Sequence, residues 1–182
     1  ALSAVTAALE QREQIARLQR ELPELLGLRR GAPSVSARIG LATGDVVVGS
    51  IGSAASRNFT IMGDAVNVAS RLESANKTYG TLILADEATM LKVRHRIEAR
   101  EIDLLAAQGK SEAVRIYELL GEIGEVEPDL LAVRDAHAHA LALYRAREWD
   151  KAEAAFTETL RIMPKDGPAR VFLARIAAFR SA

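Results

Sequence analysis

The sequence predicts an α+β domain followed by an all-α tail. Short β-prone runs alternate with helical patterns over residues 2–119, and the composition turns helical after 121–128, an acidic stretch with two glycines and a proline. The alternation is typical of an α+β fold, and glycine with proline marks a boundary. We therefore expect a first domain at residues 1–121, a linker at 122–128 and a helical segment at 129–182.

Composition excludes several classes of function. The 182 residues include 24 basic and 24 acidic side chains and no cysteine. Balanced charge gives no long-range field that would recruit nucleic acid or an anionic membrane, and without cysteine there is no disulfide or thiolate zinc site. The apolar runs are far shorter than the roughly 20 residues that span a bilayer. We expect a cytoplasmic protein with no nucleic-acid partner and no membrane span in this piece.

Apolar spacing and turn residues predict the order of elements in the first domain. From Leu2, apolar residues recur every three or four positions as in an amphipathic helix, which Pro23 and Gly27 end. Gly44 would supply the tight turn of a β-hairpin between strands at 36–43 and 45–50. The remaining predicted elements are a strand at 59–62, a helix from Gly63–Asp64 to a C-cap at Gly80 with Asp64 as N-cap or first-turn acid, a strand at 81–85, a helix at 86–93 and strands at 96–102 and 113–119.

One face of the helix that begins near residue 63 is polar. Asn67 and Arg71 are four residues apart and therefore share a face, while Val66, Ala69 and Leu72 occupy a different one. An arginine with five fixed donors beside an amide suits a phosphoryl group next to a sugar oxygen. A solvated helix face is the alternative, and spacing alone does not decide between the two.

Three segments in order resemble a known family. They are IGLATGDVVVGSIGS at 39–53, RNFTIMGDAVNVASRLE at 57–73 and GKSEAVRIYEL at 109–119. Together they resemble the catalytic domain of class III nucleotidyl cyclases, over roughly residues 1–121. The resemblance implies a ferredoxin-like α+β domain, of which this piece would hold the C-terminal part without the first strands.

The resemblance also implies a reaction. Two such domains pair head to tail, most simply as a homodimer. The ribose 3′ hydroxyl of ATP or GTP attacks the α-phosphorus, pyrophosphate leaves, and two divalent metals, Mg or Mn, neutralise charge. On this sequence Asn67 would orient the ribose, Arg71 would stabilise charge on the α-phosphate, and Thr60 would read the purine edge, with ATP the better match than GTP.

The sequence departs from the family pattern at the triphosphate and metal positions. Gln108 stands where the family has a lysine on the triphosphate, and Lys110 is the possible substitute. The family's metal-binding aspartates would precede Ala1, and Asp45 and Asp64 do not match them. We therefore expect no metal ligand in this piece and no activity from it alone. The alternative function is a regulatory or dimerisation module that has the cyclase fold without catalysis.

The tail resembles a tetratricopeptide repeat at five positions: Ala140, Leu143, Ala152, Phe156 and Pro164. We expect a docked helical tail or the first repeat of an array, either of which could bind a protein partner. A shared metal at His137 and His139 is not expected, because residues two apart on a helix diverge. Residues expected to have ordinary structural roles are His95 and the arginines Arg12, Arg17, Arg20, Arg29 and Arg30 on solvated surface, and Tyr144, Trp149 and Phe156 in packing.

Overall fold

The computed structural model describes residues 1–28, 33–53, 56–105 and 113–181, and it confirms an α+β fold. Among the helices of these ranges, none has the length and apolar character needed to cross a membrane. The elements are α1 (Leu2–Leu25), β1 (Ile39–Leu41), β2 (Val47–Ser53), β3 (Ser56–Met62), α2 (Asp64–Tyr79), β4 (Ile83–Asp86), α3 (Glu87–Val93), β5 (Ile97–Leu105), β6 (Val114–Glu122), α4 (Pro128–Arg145), α5 (Trp149–Ile162) and α6 (Gly167–Ser181).

A mixed four-stranded sheet forms the centre of the fold, in the order β1-β4-β6-β5. β1 runs parallel to β4, and the other neighbours are antiparallel. Successive strand residues point to opposite faces, so Ile83 and Ala85 of β4 pack with α1, while Leu84 packs with α2. The sheet therefore lies between two helical layers.

The predicted hairpin between strands 36–43 and 45–50 is wrong. β1 pairs with β4, where Ile39 lies opposite Ile83, whereas β2 pairs with β3 in a separate two-stranded sheet, where Val47 lies opposite Met62. Gly44 suggested a local turn, but β1 buries its apolar side chains by pairing with a strand more than forty residues away. We call the β2–β3 sheet the arm.

Helix α2 lies directly on the backbone of β1. A Cβ on Gly40 would be 2.0 Å from the carbonyl oxygen of Ala69 and 2.5 Å from the backbone nitrogen of Glu73. The Asn76 amide donates to the carbonyl oxygens of Ile39 and Leu72, at 3.0 Å each. The predicted ends of this helix are confirmed: Asp64 lies in the first turn, and Gly80 is a left-handed C-cap with φ of 67°.

Arg12 does not lie on the solvated side of the first helix, which corrects the expectation for that residue. Its guanidinium donates to the carbonyl oxygens of Leu119 at 3.2 Å and Leu120 at 2.9 Å. The strand pairing shifts register at this point, and the arginine satisfies carbonyls at the irregularity. Arg17 and Arg20 are exposed, as expected. Arg29 and Arg30 lie outside the described residues.

The three tail helices form a core of their own. Phe156 stacks on Phe172 with ring centroids 5.0 Å apart, and Tyr144 meets the edge of Trp149 at 5.4 Å. This agrees with the packing role expected for the tail aromatics. Ala140 and Ala152, two of the repeat-like positions, are fully buried in the same core.

A buried ion cluster joins the tail to the sheet. Arg100 on β5 is only 4% exposed; it pairs with Glu118 of β6 at 2.6 Å and with Asp166, which precedes α6, at 2.7 Å. The other oxygen of Asp166 accepts from the backbone nitrogen of Ala169 at 2.9 Å and so caps α6. Losing one partner of such a cluster strands a buried charge, so the tail is firmly docked.

His137 of α4 is completely buried beside this cluster. Its ring meets the edges of Phe156 and Phe172 at 5.5 and 5.9 Å. Burial, together with the positive charge of Arg100, lowers its pKa to about 4, against the opposing effect of Asp166. His139 and His95 are exposed.

We expect Gly40→Ala to lower the free energy of unfolding by about 2–3 kcal/mol, because the added methyl must push α2 away from β1. Gly49→Ala, in a strand where the same methyl meets nothing within 4 Å, should change it by less than about 1 kcal/mol. Urea unfolding measures both. Equal losses of unfolding free energy in the two variants would contradict the close contact between α2 and β1.

We expect His137 to make the protein less stable in acid. The pKa is about 6.5 in the unfolded chain and about 4 in the fold, so below pH 6.5 the unfolded state takes up a proton that the folded state does not. Stability present above pH 6.5 is therefore lost as the pH falls toward 4.

Between pH 7 and pH 5, urea unfolding of His137→Gln should show a loss about 1–2 kcal/mol smaller than that of the unaltered protein. His139→Gln is the control, since that side chain is exposed. If the unfolding free energy of all three proteins depended on pH in the same way, His137 would not contribute to the acid sensitivity.

Candidate functional site

Asn67 and Arg71 lie one turn apart on the outward side of α2. Asn67 is exposed and Arg71 is half-buried. Within the described part of the chain neither side chain has a hydrogen bond or ion pair, whereas the neighbouring Glu73 pairs with Arg38 at 3.0 Å. An amide and a guanidinium are thus held on a rigid helix with their donors available to a ligand.

Thr60 lies on a different element from these two residues. It is exposed on the arm, where it pairs with Gly49. No hydrogen bond within the described ranges connects it to Asn67 or Arg71. Gln108 and Lys110 fall outside the described residues, so the expectations for the triphosphate contacts stay predictions.

A mainly apolar cleft of about 380 Å³ opens between the arm, α2 and the connection from β1 to β2. Ala65, Val66 and Ala69 line it from the first two turns of α2. Asn67 and Arg71 do not line it, because both lie more than about 140° around the helix from the mean direction of these three residues. A single chain therefore does not bring the predicted polar residues into its own cleft.

The rim of this cleft depends on an aspartate whose full role sequence reasoning missed. Asp86 accepts from the backbone nitrogen of Thr89 at 2.8 Å, as an N-cap of α3, and from that of Thr43 at 3.3 Å. The Thr43 and Thr89 hydroxyls are also 2.8 Å apart. An aspartate before a short helix signals the cap; the bond to Thr43 spans 43 residues and has no local signal.

The described residues do not offer a metal site. Over residues 1–28, 33–53, 56–105 and 113–181, no three His, Asp or Glu side chains come together in a way that could hold an ion. Asp45 is exposed in the connection between β1 and β2, and Asp64 lies in the first turn of α2. The described residues therefore do not fit a two-metal centre.

The arm exposes a row of large apolar side chains. Phe59 is 77% exposed and Val47 is 69% exposed. Val48, Ile61 and Met62 are each at least half exposed as well. Val48, Phe59 and Ile61 lie on one face of the arm and Val47 and Met62 on the other, because successive strand residues alternate. Several exposed apolar side chains of this size favour an interaction site. The same arm carries Thr60, so whatever covers the arm also approaches that residue.

A family model for the adenylate and guanylate cyclase catalytic domain matches residues 4–121. The chain belongs to this family. The match runs from the third residue of α1 to the next-to-last residue of β6, and it includes the arm and α2. The cyclase domain thus contains Asn67, Arg71 and Thr60, while α4, α5 and α6 lie beyond it.

Individual cyclases agree with the family assignment. Adenylate cyclase 1 of Rhizobium meliloti is 43% identical over 96 residues, which is 53% of this chain and 14% of that protein. The solved adenylyl cyclase CyaB from P. aeruginosa matches with a TM-score of 0.52 and 27% identity, over 65% of this chain and 58% of that one. A solved guanylyl cyclase matches with a TM-score of 0.55 and 25% identity, over 68% and 60%. The chain thus spans a seventh of the curated relative and under two thirds of each solved chain.

We expect Asp86→Ala to release the connection between β1 and β2 as well as the start of α3. Loss of a cap and of a second buried acceptor should cost about 1–3 kcal/mol of unfolding free energy. Hydrogen exchange at the Thr43 amide should also accelerate. Glu87→Ala, next in the chain and half-exposed, is the control and should leave that amide protected. Unchanged exchange at Thr43 in Asp86→Ala would contradict this role.

Proposed function

We propose that this chain is part of an adenylate cyclase, or less favourably a guanylate cyclase, that converts ATP or GTP to a cyclic nucleotide and pyrophosphate. The observation that carries the proposal is the pair Asn67 and Arg71, which lies on one face of α2 inside the matched cyclase domain. Asn67 is exposed and Arg71 is half-buried, and neither side chain has a partner among the described residues. The position of the pair inside the matched domain favours this role over a solvated helix face.

The proposed roles follow from the chemistry of the two side chains. Arg71 donates through its planar fork to oxygens of the α-phosphate and stabilises the charge that grows there as the ribose 3′ oxygen attacks. Asn67 binds the ribose and orients that oxygen in line with the leaving pyrophosphate. Both side chains start from one rigid helix, so their spacing is fixed before the nucleotide arrives.

Recognition of the base and the triphosphate completes the proposed site. Thr60 would contact the purine edge, where a hydroxyl is compatible with adenine and discriminates less sharply than an acid. Gln108 would contact the triphosphate without charge, with Lys110 as the possible cation. The relative from Rhizobium meliloti, an adenylate cyclase by name, favours ATP; the solved guanylyl cyclase keeps GTP as the alternative.

A homodimer is part of the proposal. In one chain the cleft and the pair Asn67 and Arg71 face different sides of α2, and the arm carries exposed Phe59 and Val47 beside Thr60. Pairing of two copies would cover the arms and bring the arm of one copy, with its cleft, toward the polar face of the other's α2. A composite site of this kind accounts for both features.

The divalent metal, Mg or Mn, remains part of the proposal with its ligands outside the described residues. We also propose a cytoplasmic location. The chain's own contribution is the binding and orientation of nucleotide described above.

For the tail we propose a tetratricopeptide-like segment at 129–182, joined to the cyclase domain at 1–121 through 122–128. Burial of Ala140, Ala152 and Phe156 in one core supports this, and a protein partner could bind its outer surface. A second candidate function, the regulatory or dimerisation module, is favoured by Gln108 alone, which lacks the positive charge that the family places on the triphosphate.

We expect Arg71→Ala and Asn67→Ala to lower the turnover number of the full-length protein at least about 100-fold, because each removes a contact to the reacting groups. Formation of cyclic nucleotide from ATP or GTP with manganese measures this. Lys77→Ala is the matched control: an exposed cation on the same helix, in its last turn. Absence of product from the unaltered protein would overturn the cyclase and leave the regulatory module.

A further inference from the structure

The tail packs against the C-terminal end of α2, the helix that carries Asn67 and Arg71. A Cβ on Gly167, the first residue of α6, would lie 1.9 Å from the carbonyl oxygen of Tyr79 and 3.2 Å from the Cα of Gly80. One turn later Val171 packs on the cluster that contains Leu72. The start of α6 and the end of α2 are therefore in backbone contact, with no room for a side chain at Gly167.

Arg175 adds a polar connection at the same place. Its guanidinium donates to the Tyr79 hydroxyl at 3.0 Å and forms an ion pair with Asp103 of β5. The Tyr79 hydroxyl in turn donates to Asp103 at 2.6 Å. The guanidinium also lies 5.1 Å from the ring centroid of Phe172, a residue of the tail core. One side chain thus holds the tail, the sheet and α2 together.

The Tyr79 hydroxyl stays protonated and therefore remains a hydrogen-bond donor in this connection. Burial, reinforced by the bond to Asp103, raises its pKa to about 12. The hydroxyl therefore keeps its proton throughout the physiological range and keeps donating to the carboxylate.

These contacts complete a three-point attachment of α2. At its start, a Cβ on Gly63 would lie 2.7 Å from the carbonyl oxygen of Asp45; in its middle, Gly40 admits no side chain; at its end are Arg175 and Gly167. Tyr79 lies about 12 Å along the helix from Arg71. The contacts at Gly63 and Gly40 remain when Arg175 is removed, and a tilt of α2 about its contact with Gly40 would then displace Asn67, one turn from that contact, more than Arg71, which lies beside it.

We propose that Arg175, with Tyr79 and Asp103, is a positioning residue for the cyclase reaction: through it the tail sets the orientation of α2 and hence of Asn67 and Arg71. This inference rests on the proposed function. It gives α4–α6 a role in the rate of the reaction, in addition to any partner that they bind.

Arg175→Met in the full-length protein tests the proposal, because the methionine retains apolar contact with Phe172 and loses both polar bonds. We expect the turnover number to fall about 10- to 100-fold, with KM for the nucleotide changed by less than about 3-fold. Hydrogen exchange should accelerate at least about 10-fold along α2, including its first two turns.

Arg180→Met is the matched control. It lies on the same helix and pairs with Asp150 and Glu153, both within the tail. It should leave turnover and α2 exchange as in the unaltered protein. If Arg175 contributed only to stability, Arg175→Met would lower the melting temperature and leave hydrogen exchange along α2 unchanged.

If Arg175→Met fails to fold, Tyr79→Phe removes only one hydroxyl and should shift turnover and exchange in the same direction, by several-fold. Unchanged turnover and unchanged α2 exchange in the folded variant would overturn the proposal, as would a lowered melting temperature alone. If the unaltered protein makes no cyclic nucleotide, the cyclase function fails, and the exchange comparison still decides whether the tail positions α2.

Discussion

The close contact of α2 with β1 at Gly40 is the constraint on which the rest of the structure depends. With no side chain at that position, the helix backbone approaches the strand backbone and Asn76 can donate to the Ile39 carbonyl. This sets the depth at which α2 lies on the sheet. Leu72 is consequently buried, and the polar pair Asn67 and Arg71 faces outward.

The two faces of the sheet serve different purposes. α1 covers one face with ordinary apolar packing, and Arg12 satisfies the carbonyls at an irregular point of β6. The other face carries α2 and the tail, and here a charged cluster, Arg100 with Glu118 and Asp166, accompanies the apolar packing. Buried ion clusters add little net stability but permit few alternative arrangements, which suits a face where the position of one helix matters.

Membership of the cyclase family and the geometry of a single chain together lead to the composite site. The chain presents a cleft on one side of α2, a polar pair on the other and an apolar arm that nothing in the described residues covers. In the proposed reaction each would be incomplete alone, because base, ribose and phosphate of the nucleotide must all be contacted at once. A second copy would provide the missing side, and the tail would fix the helix on which both copies depend.

The sequence by itself determined the α+β class, both ends of α2 and the shared face of Asn67 and Arg71, because capping residues and helical spacing are local signals. It also carried the family motifs. Only the tertiary structure decided that β1 pairs with β4 rather than with β2, that Arg12 is drawn into the fold, and that Arg175 reaches Tyr79 from 96 residues away. Those pairings depend on which distant surfaces meet, and no spacing along the chain encodes that.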